Sequence, residues 1–168
     1  MSAIVLFKTK RFLVREFTEQ DREAFVACHL DPQFAQFHLE HERGREHATS
    51  VFSHILAWRS EEPRENFQLV IALRHDAHAY VGNVGLRMRG LPTGAGELGI
   101  ELVPKFWRVG AATEIMRAFL PWARDKHGIV NFVAETAPGN IGAERLAASA
   151  GLRIVSHSTK RYWRSDVT

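Results

Sequence analysis

Cysteine is almost missing from this chain: Cys28 is the only one in 168 residues. A disulfide within the chain is therefore excluded, and a lone thiol fits a reducing cytoplasm. Long apolar runs are missing as well, since nothing approaches the ~20 residues that cross a membrane as a helix. The opening MSAIVLFKTKR has a brief apolar patch without the layout of a signal peptide. A cytoplasmic protein with no membrane partner is expected. The excess of one charge over the other is small too, with a formal net of +3 and a sequence pI near 9.3. That balance suits anionic small ligands and is far too small to argue for nucleic acid. No repeat, linker or low-complexity tract interrupts the chain, so residues 1–168 read as one domain. Its 45% hydrophobic content is enough for a sizeable core.

What is present is organised around Gly96 to Leu120, GELGIELVPKFWRVGAATEIMRAFL. Leu98, Ile100 and Leu102 alternate with Gly99 and the carboxylates Glu97 and Glu101, which predicts a strand over Glu97–Val103. Pro104 ends it. Gly110-Ala111-Ala112 then opens a helix carrying Ile115, Met116, Phe119 and Leu120 on one face. A helix start has unpaired N–H groups and the positive end of the helix dipole. With small residues above it, that end can cradle a phosphate or pyrophosphate. Lys105 and Arg108 add positive charge there. The same pattern also describes an ordinary strand–loop–helix joint.

Elsewhere the pattern predicts a strand over Arg11–Phe17, a capped helix from Thr18–Asp21 through Cys28, and a break at Asp31-Pro32. A helix over Glu46–Arg59 follows, with Val51, Ile55 and Trp58 along one side. Phe67–Leu73 and Ala79–Met88 read as a hairpin turned at His75–His78, with Gly82 and Gly85 marking close packing or bending. Pro121 falls inside the long helix and is expected to bend it or remove a hydrogen bond. A strand over Ile129–Thr136, a helix over Ile141–Ala150 and a hairpin of Leu152–Val155 with Lys160–Arg164 close the chain. The order βααβββαβαββ defines an α/β (α+β) fold, a mixed and mostly antiparallel sheet with helices on both faces.

Trp107-Arg108-Val109-Gly110-Ala111-Ala112 resembles the acyl-CoA pyrophosphate loop of the GNAT acetyltransferases, [Arg/Gln]-x-x-Gly-x-[Gly/Ala]. Pro104–Glu114 is similar to the P-x-x-W-G-x-G-x-A-T-E form of the branch containing the ribosomal-protein N-terminal acetyltransferases, RimJ and RimL. Gly110, Ala112, Thr113 and Glu114 match it, while Arg108 stands where glycine is usual. The opening Arg11-Phe12-Leu13-Val14-Arg15 with Asp21 is also typical of that branch. Asn140 through Leu152 is similar to the family's N-x-x-S-x-R-x-x-x-x-x-G-F, matching at Asn140, Arg145 and Gly151. Ala143 occupies the Ser position and can supply no acid function.

The resemblance implies the GNAT fold and acetyl-CoA as acyl donor, with direct transfer in a ternary complex to a primary amine, either a protein N-terminus or a small molecule. It implies cofactor contacts at Leu102, Val103, Trp107, Arg108, Val109, Gly110, Ala111, Ala112, Thr113, Asn140 and Arg145. Asn140 is also read simply as a helix N-cap. Such transfer needs a general base, because free amines are mostly protonated at pH 7. Glu101 is the preferred candidate, with Glu97, a histidine or bulk water as alternatives. His38, His41, His47 and His54 make no tetrahedral set with Cys28, so no metal is expected; lining the acceptor pocket is their more plausible role. The rival reading is a catalytically weak acyl-CoA-binding or regulatory domain, which Ala143 keeps open. A nucleotide-binding module lacks the Lys-Ser/Thr that a P-loop requires. Whether the chain pairs as a homodimer stays open.

Overall fold

The computed structural model describes residues 3–165. Their strands are β1 (Val5–Lys8), β2 (Phe12–Glu16), β3 (Asn66–Leu73), β4 (Asp76–Arg87), β5 (Ala95–Leu102), β6 (Asn131–Thr136), β7 (Arg153–His157) and β8 (Arg161–Arg164). All join one sheet in the spatial order β1-β2-β3-β4-β5-β6-β8-β7. Every neighbouring pair is antiparallel except β5 with β6. The helices are α1 (Arg22–Leu30), α2 (Pro32–Ala35), α3 (Arg45–Trp58), α4 (Ala111–His127) and α5 (Ile141–Ser149).

Alternation along the strands separates two cores. Leu69, Ile71, Val84, Leu86 and Leu98 pack with Ile115, Met116, Phe119 and Ala123 of α4. Leu13, Val70 and Ala72 belong to the other core, with Phe25 and Val26 of α1 and Ala48, Phe52 and Ile55 of α3. The expected helix layers on both faces are therefore present. The buried line of α3 is Ala48, Phe52 and Ile55, with Val51 and Trp58 only partly buried beside it.

The observed element order corrects the expected one by two elements, β1 and α2. The short strand β1 is half-exposed and its register on β2 shifts between Val5 and Phe7, so it carries no clean alternation. Four residues of α2 cannot display a helical period. It forms because Asp31 accepts the Gln33 N–H and Pro32 sits in its first turn. The β3–β4 turn lies earlier than expected, since β4 already begins at Asp76. Pro121 does not end α4, which runs unbroken to His127 and closes on Gly128 at φ 64°.

The opening motif proves to be scaffolding. Arg15 donates to both oxygens of Asp21 at 2.9 and 2.8 Å, and Asp21 also accepts the Thr18 N–H. The pair is buried, so removing one partner would strand a charge at a cost of about 3–5 kcal/mol. Arg11 reaches across to Glu114 at 2.7 Å, and Thr9 donates to the same carboxylate. The first turn of α4 is thereby tied to the β1–β2 hairpin.

Candidate active site

The parallel strands β5 and β6 pair only from Ala95 opposite Asn131 to Leu98 opposite Ala134. Beyond Leu98, β5 continues on β4 alone, as far as Leu102 opposite Gly82. The two strands therefore open into a wedge, and the starts of α4 and α5 stand at its mouth. The resulting cleft measures about 840 Å³.

Strand alternation decides which β5 backbone groups face the wedge. Val103 N–H is bonded to the Val81 carbonyl at 2.9 Å, and Glu101 stands opposite Asn83. Ile100 and Leu102 thus direct their backbone groups away from β4, into the gap that β6 has left. The Leu102 carbonyl accepts the Trp107 indole N–H at 2.8 Å, which leaves the Leu102 N–H to serve the wedge. Gly82 permits this close strand contact: a Cβ there would stand 2.0 Å from the Glu101 carbonyl oxygen.

Gly110 caps α4 at φ 77°, a left-handed conformation that glycine adopts freely. The first intrahelical bond runs from Glu114 N–H to the Gly110 carbonyl, so the N–H groups of Ala111, Ala112 and Thr113 stay open to a ligand. Among the described residues no side chain caps this end. Arg108 departs from the glycine of the related motif yet keeps the glycine conformation, at φ 60°. That placement costs about 1–2 kcal/mol for a residue with a Cβ, and Arg108 is part of the cleft lining.

Across the cleft, Asn140 caps α5 by accepting the Ala143 N–H at 3.2 Å. Its side-chain NH2 makes no hydrogen bond among the described residues, so capping and ligand contact are compatible at this position. Ala143 and Arg145 line the same wall.

A chain of polar side chains crosses the β3–β4–β5 surface toward the inner end of the cleft. Arg87 donates to Glu97 at 3.1 Å and to Gln68 Oε1 at 3.4 Å; Gln68 donates to Asn83 Oδ1; Asn83 donates to Tyr80 at 2.9 Å and to Glu101 Oε2 at 3.3 Å. A guanidinium can only donate and a carboxylate only accept, so the two ends fix both amide orientations. Gly85 leaves the room this chain needs, since a Cβ there would lie 2.3 Å from Gln68 Oε1. Glu101 Oε2 meets a second partner, His29 Nε2, at 3.3 Å. Its Oε1 has no hydrogen bond among the described residues and is free to accept a proton.

Most of the expected site residues are gathered in this one cleft. Glu101, Leu102, Trp107, Arg108, Gly110, Ala111, Ala112, Thr113, Asn140, Ala143 and Arg145 all line it. Val103 and Val109 do not. The Val103 N–H is committed to β4, and Val109 lines a separate basic groove of about 820 Å³ with Lys10, Arg11, Arg74 and Lys105. Lys105 therefore does not share the place of Arg108. Of the histidines considered, only His38 reaches the cleft. Among the described residues no three His, Cys, Asp or Glu side chains gather as a metal site, and no helix is long and apolar enough to cross a membrane. His29 escaped sequence reading, because nothing near it in the chain announces its partner Glu101.

Residues 11–153 match the acetyltransferase (GNAT) domain family, and the chain belongs to that family. It is 24% identical over 149 residues to the uncharacterized N-acetyltransferase YoaA of Bacillus subtilis, across 88% of this chain and 82% of that protein. RimJ of Mycobacterium smegmatis, solved with a CoA disulfide, superposes with a TM-score of 0.77 at 15% identity, covering 98% of this chain and 88% of the other. RimL, the ribosomal L7/L12 alpha-N-protein acetyltransferase solved with coenzyme A, gives 0.77 at 11% identity, covering 95% and 96%. The fold is that of the GNAT acetyltransferases, and the protein is an N-acetyltransferase by family.

Proposed function

We propose that the protein transfers an acetyl group from acetyl-CoA directly to a primary amine, on a protein N-terminus or a small molecule. One observation carries the reading: the bare helix end, the unpaired Leu102 N–H and the free oxygen of Glu101 share a single cleft. The residues suit coenzyme A in its chemistry. The N–H groups of Ala111, Ala112 and Thr113 receive a pyrophosphate, with Arg108 and Arg145 adding positive charge. The Asn140 amide and Leu102 N–H serve the pantetheine arm and the thioester carbonyl. Bound acetyl-CoA supplies an activated acyl carbon.

Glu101 Oε1 takes the proton of the acceptor amine, directly or through water, and Leu102 N–H donates to the oxygen on which charge develops. A covalent relay through cysteine is disfavoured. Cys28 is the only thiol, it is buried, and burial, then the charges of Glu101 and Asp31, push it up to about 12. Direct transfer remains.

The test is a panel of amines and free-N-terminal peptides incubated with acetyl-CoA, reading thiol release and acetylated acceptor together. Matched release and acetylation with one class of acceptor is expected. Tight acetyl-CoA binding without turnover on any acceptor would favour the regulatory acyl-CoA-binding domain instead.

A further inference from the structure

His29 lies near the end of α1 with only 9% of its side chain exposed. Both ring nitrogens meet oxygen: Nδ1 is 2.9 Å from the Phe25 carbonyl and Nε2 is 3.3 Å from Glu101 Oε2. A neutral imidazole has one N–H and satisfies one such acceptor, whereas the imidazolium satisfies both. The rings of Phe25 and Phe34 flank it at 4.1 and 4.8 Å and keep water away. The other titratable groups around the pair are Cys28 and Asp31 at the end of α1, Tyr80 on β4, and His38, whose ring centroid is 6.2 Å from that of His29.

Burial pulls the His29 imidazolium down, but the hydrogen bond and charge of Glu101, with the Phe25 carbonyl, outweigh it and hold His29 above its ordinary 6.5. Burial pushes the Glu101 carboxyl up, and the bonds and charge of His29, with Asn83 and His38, leave it below its ordinary 4.5. A carboxylate held that low is a poor acceptor for an amine proton.

We propose that His29 is a positioning residue that gates Glu101 by charge. As imidazolium it clamps the carboxylate in an ion pair and silences it. As neutral imidazole it holds Oε2 through its remaining N–H and leaves Oε1 basic enough to take the amine proton. The inference rests on Glu101 being the base. The step balances: the ammonium gives one proton to Oε1, and its nitrogen bonds the acetyl carbon as the C–S bond breaks. The sulfur keeps the bonding pair and takes the second nitrogen proton to leave as thiol. Glu101 then returns its proton to cleft water.

Turnover therefore climbs as pH rises through the native His29 value, superimposed on the acceptor's own titration. Because His29 is held above its ordinary 6.5, the imidazolium prevails in mild acid and the neutral ring gains as the solution is made basic. His29→Gln keeps a donor for Oε2 and carries no charge. With acetyl-CoA and the fastest acceptor of the panel, kcat/KM is measured for both proteins at about pH 5.5 and about pH 8.5. Using one acceptor for both proteins cancels its own titration. The rise between the two pH values is expected to be about tenfold smaller or more in His29→Gln, with the acetyl-CoA KM unchanged. Profiles that superimpose after scaling overturn the gate.

A second measurement needs no turnover. The His29 ring proton signal should titrate above 6.5 in the wild type and at a lower pH in Glu101→Gln. An identical midpoint in both overturns the coupling. If Glu101→Gln turns over as fast as wild type, the reading of Glu101 as base falls and takes this inference with it. If Glu101→Gln is slow but His29→Gln keeps the wild-type profile, only the gate falls.

Discussion

Glu101→Gln is expected to lower turnover by about 10²–10⁴-fold while acetyl-CoA binds as before. The carboxylate spends Oε2 on His29 and Asn83, while Oε1 has no hydrogen bond among the described residues. In the variant the amide oxygen takes over those two bonds, and an NH2 stands where Oε1 was. A donor then meets an amine that needs an acceptor. The cradle at the start of α4 is untouched, so the loss falls on kcat rather than on acetyl-CoA affinity. Steady-state rates with tight binding confirmed by calorimetry check this. Unchanged turnover would transfer the role to Glu97 or to water, although Glu97 is already held by Arg87 at 3.1 Å.

Gly110→Asp is expected to weaken coenzyme A binding by about a hundredfold or more in a protein that still folds. A carboxylate on the helix cap accepts the N–H groups meant for the pyrophosphate. It also repels the pyrophosphate, by about 3 kcal/mol per charge at ~5 Å and an effective dielectric near 20. The site has room for the side chain, since the nearest atom to a Cβ at Gly110 is Arg11 Nη2 at 3.7 Å. The φ of 77° adds strain, which Gly110→Asn shares without the charge. Calorimetry on both variants separates the causes: Asp should lose far more affinity than Asn. Equal losses would assign the effect to backbone strain, and no loss in either would place the phosphates elsewhere.

Much of the cofactor wall was legible because glycine, proline and small residues punctuate it. Pro104, Gly110 and Asn140 each mark a local backbone event, and local events are written locally. The branch motif was legible as a pattern but not as a purpose: Arg15, Asp21, Arg11 and Glu114 turn out to pair with one another as struts. What could not be read depended on partners distant in sequence. Nothing near Val103 reveals that Val81 takes its N–H, and nothing near His29 points to Glu101. The strand β1 was missed because its partly buried residues, Leu6 and Phe7, are adjacent rather than alternate, across a register shift on β2. The β3–β4 turn was misplaced because β4 opens on the exposed Asp76 and His78, residues that suit a turn as well as a strand, and because its register on β3 is bulged there.

The central claim is that coenzyme A lies in the wedge between β5 and β6 with its phosphates on the start of α4. A coenzyme A titration followed through the assigned amide signals of the whole protein tests it most directly. The account predicts that the signals of Leu102, Ala111, Ala112 and Thr113 and the Asn140 side-chain amide move together, while those of Lys10, Arg74 and His75 stay still. It is contradicted if a folded protein shows no change at about millimolar coenzyme A, or if the changes gather in the basic groove of Lys10, Arg74 and Lys105 instead.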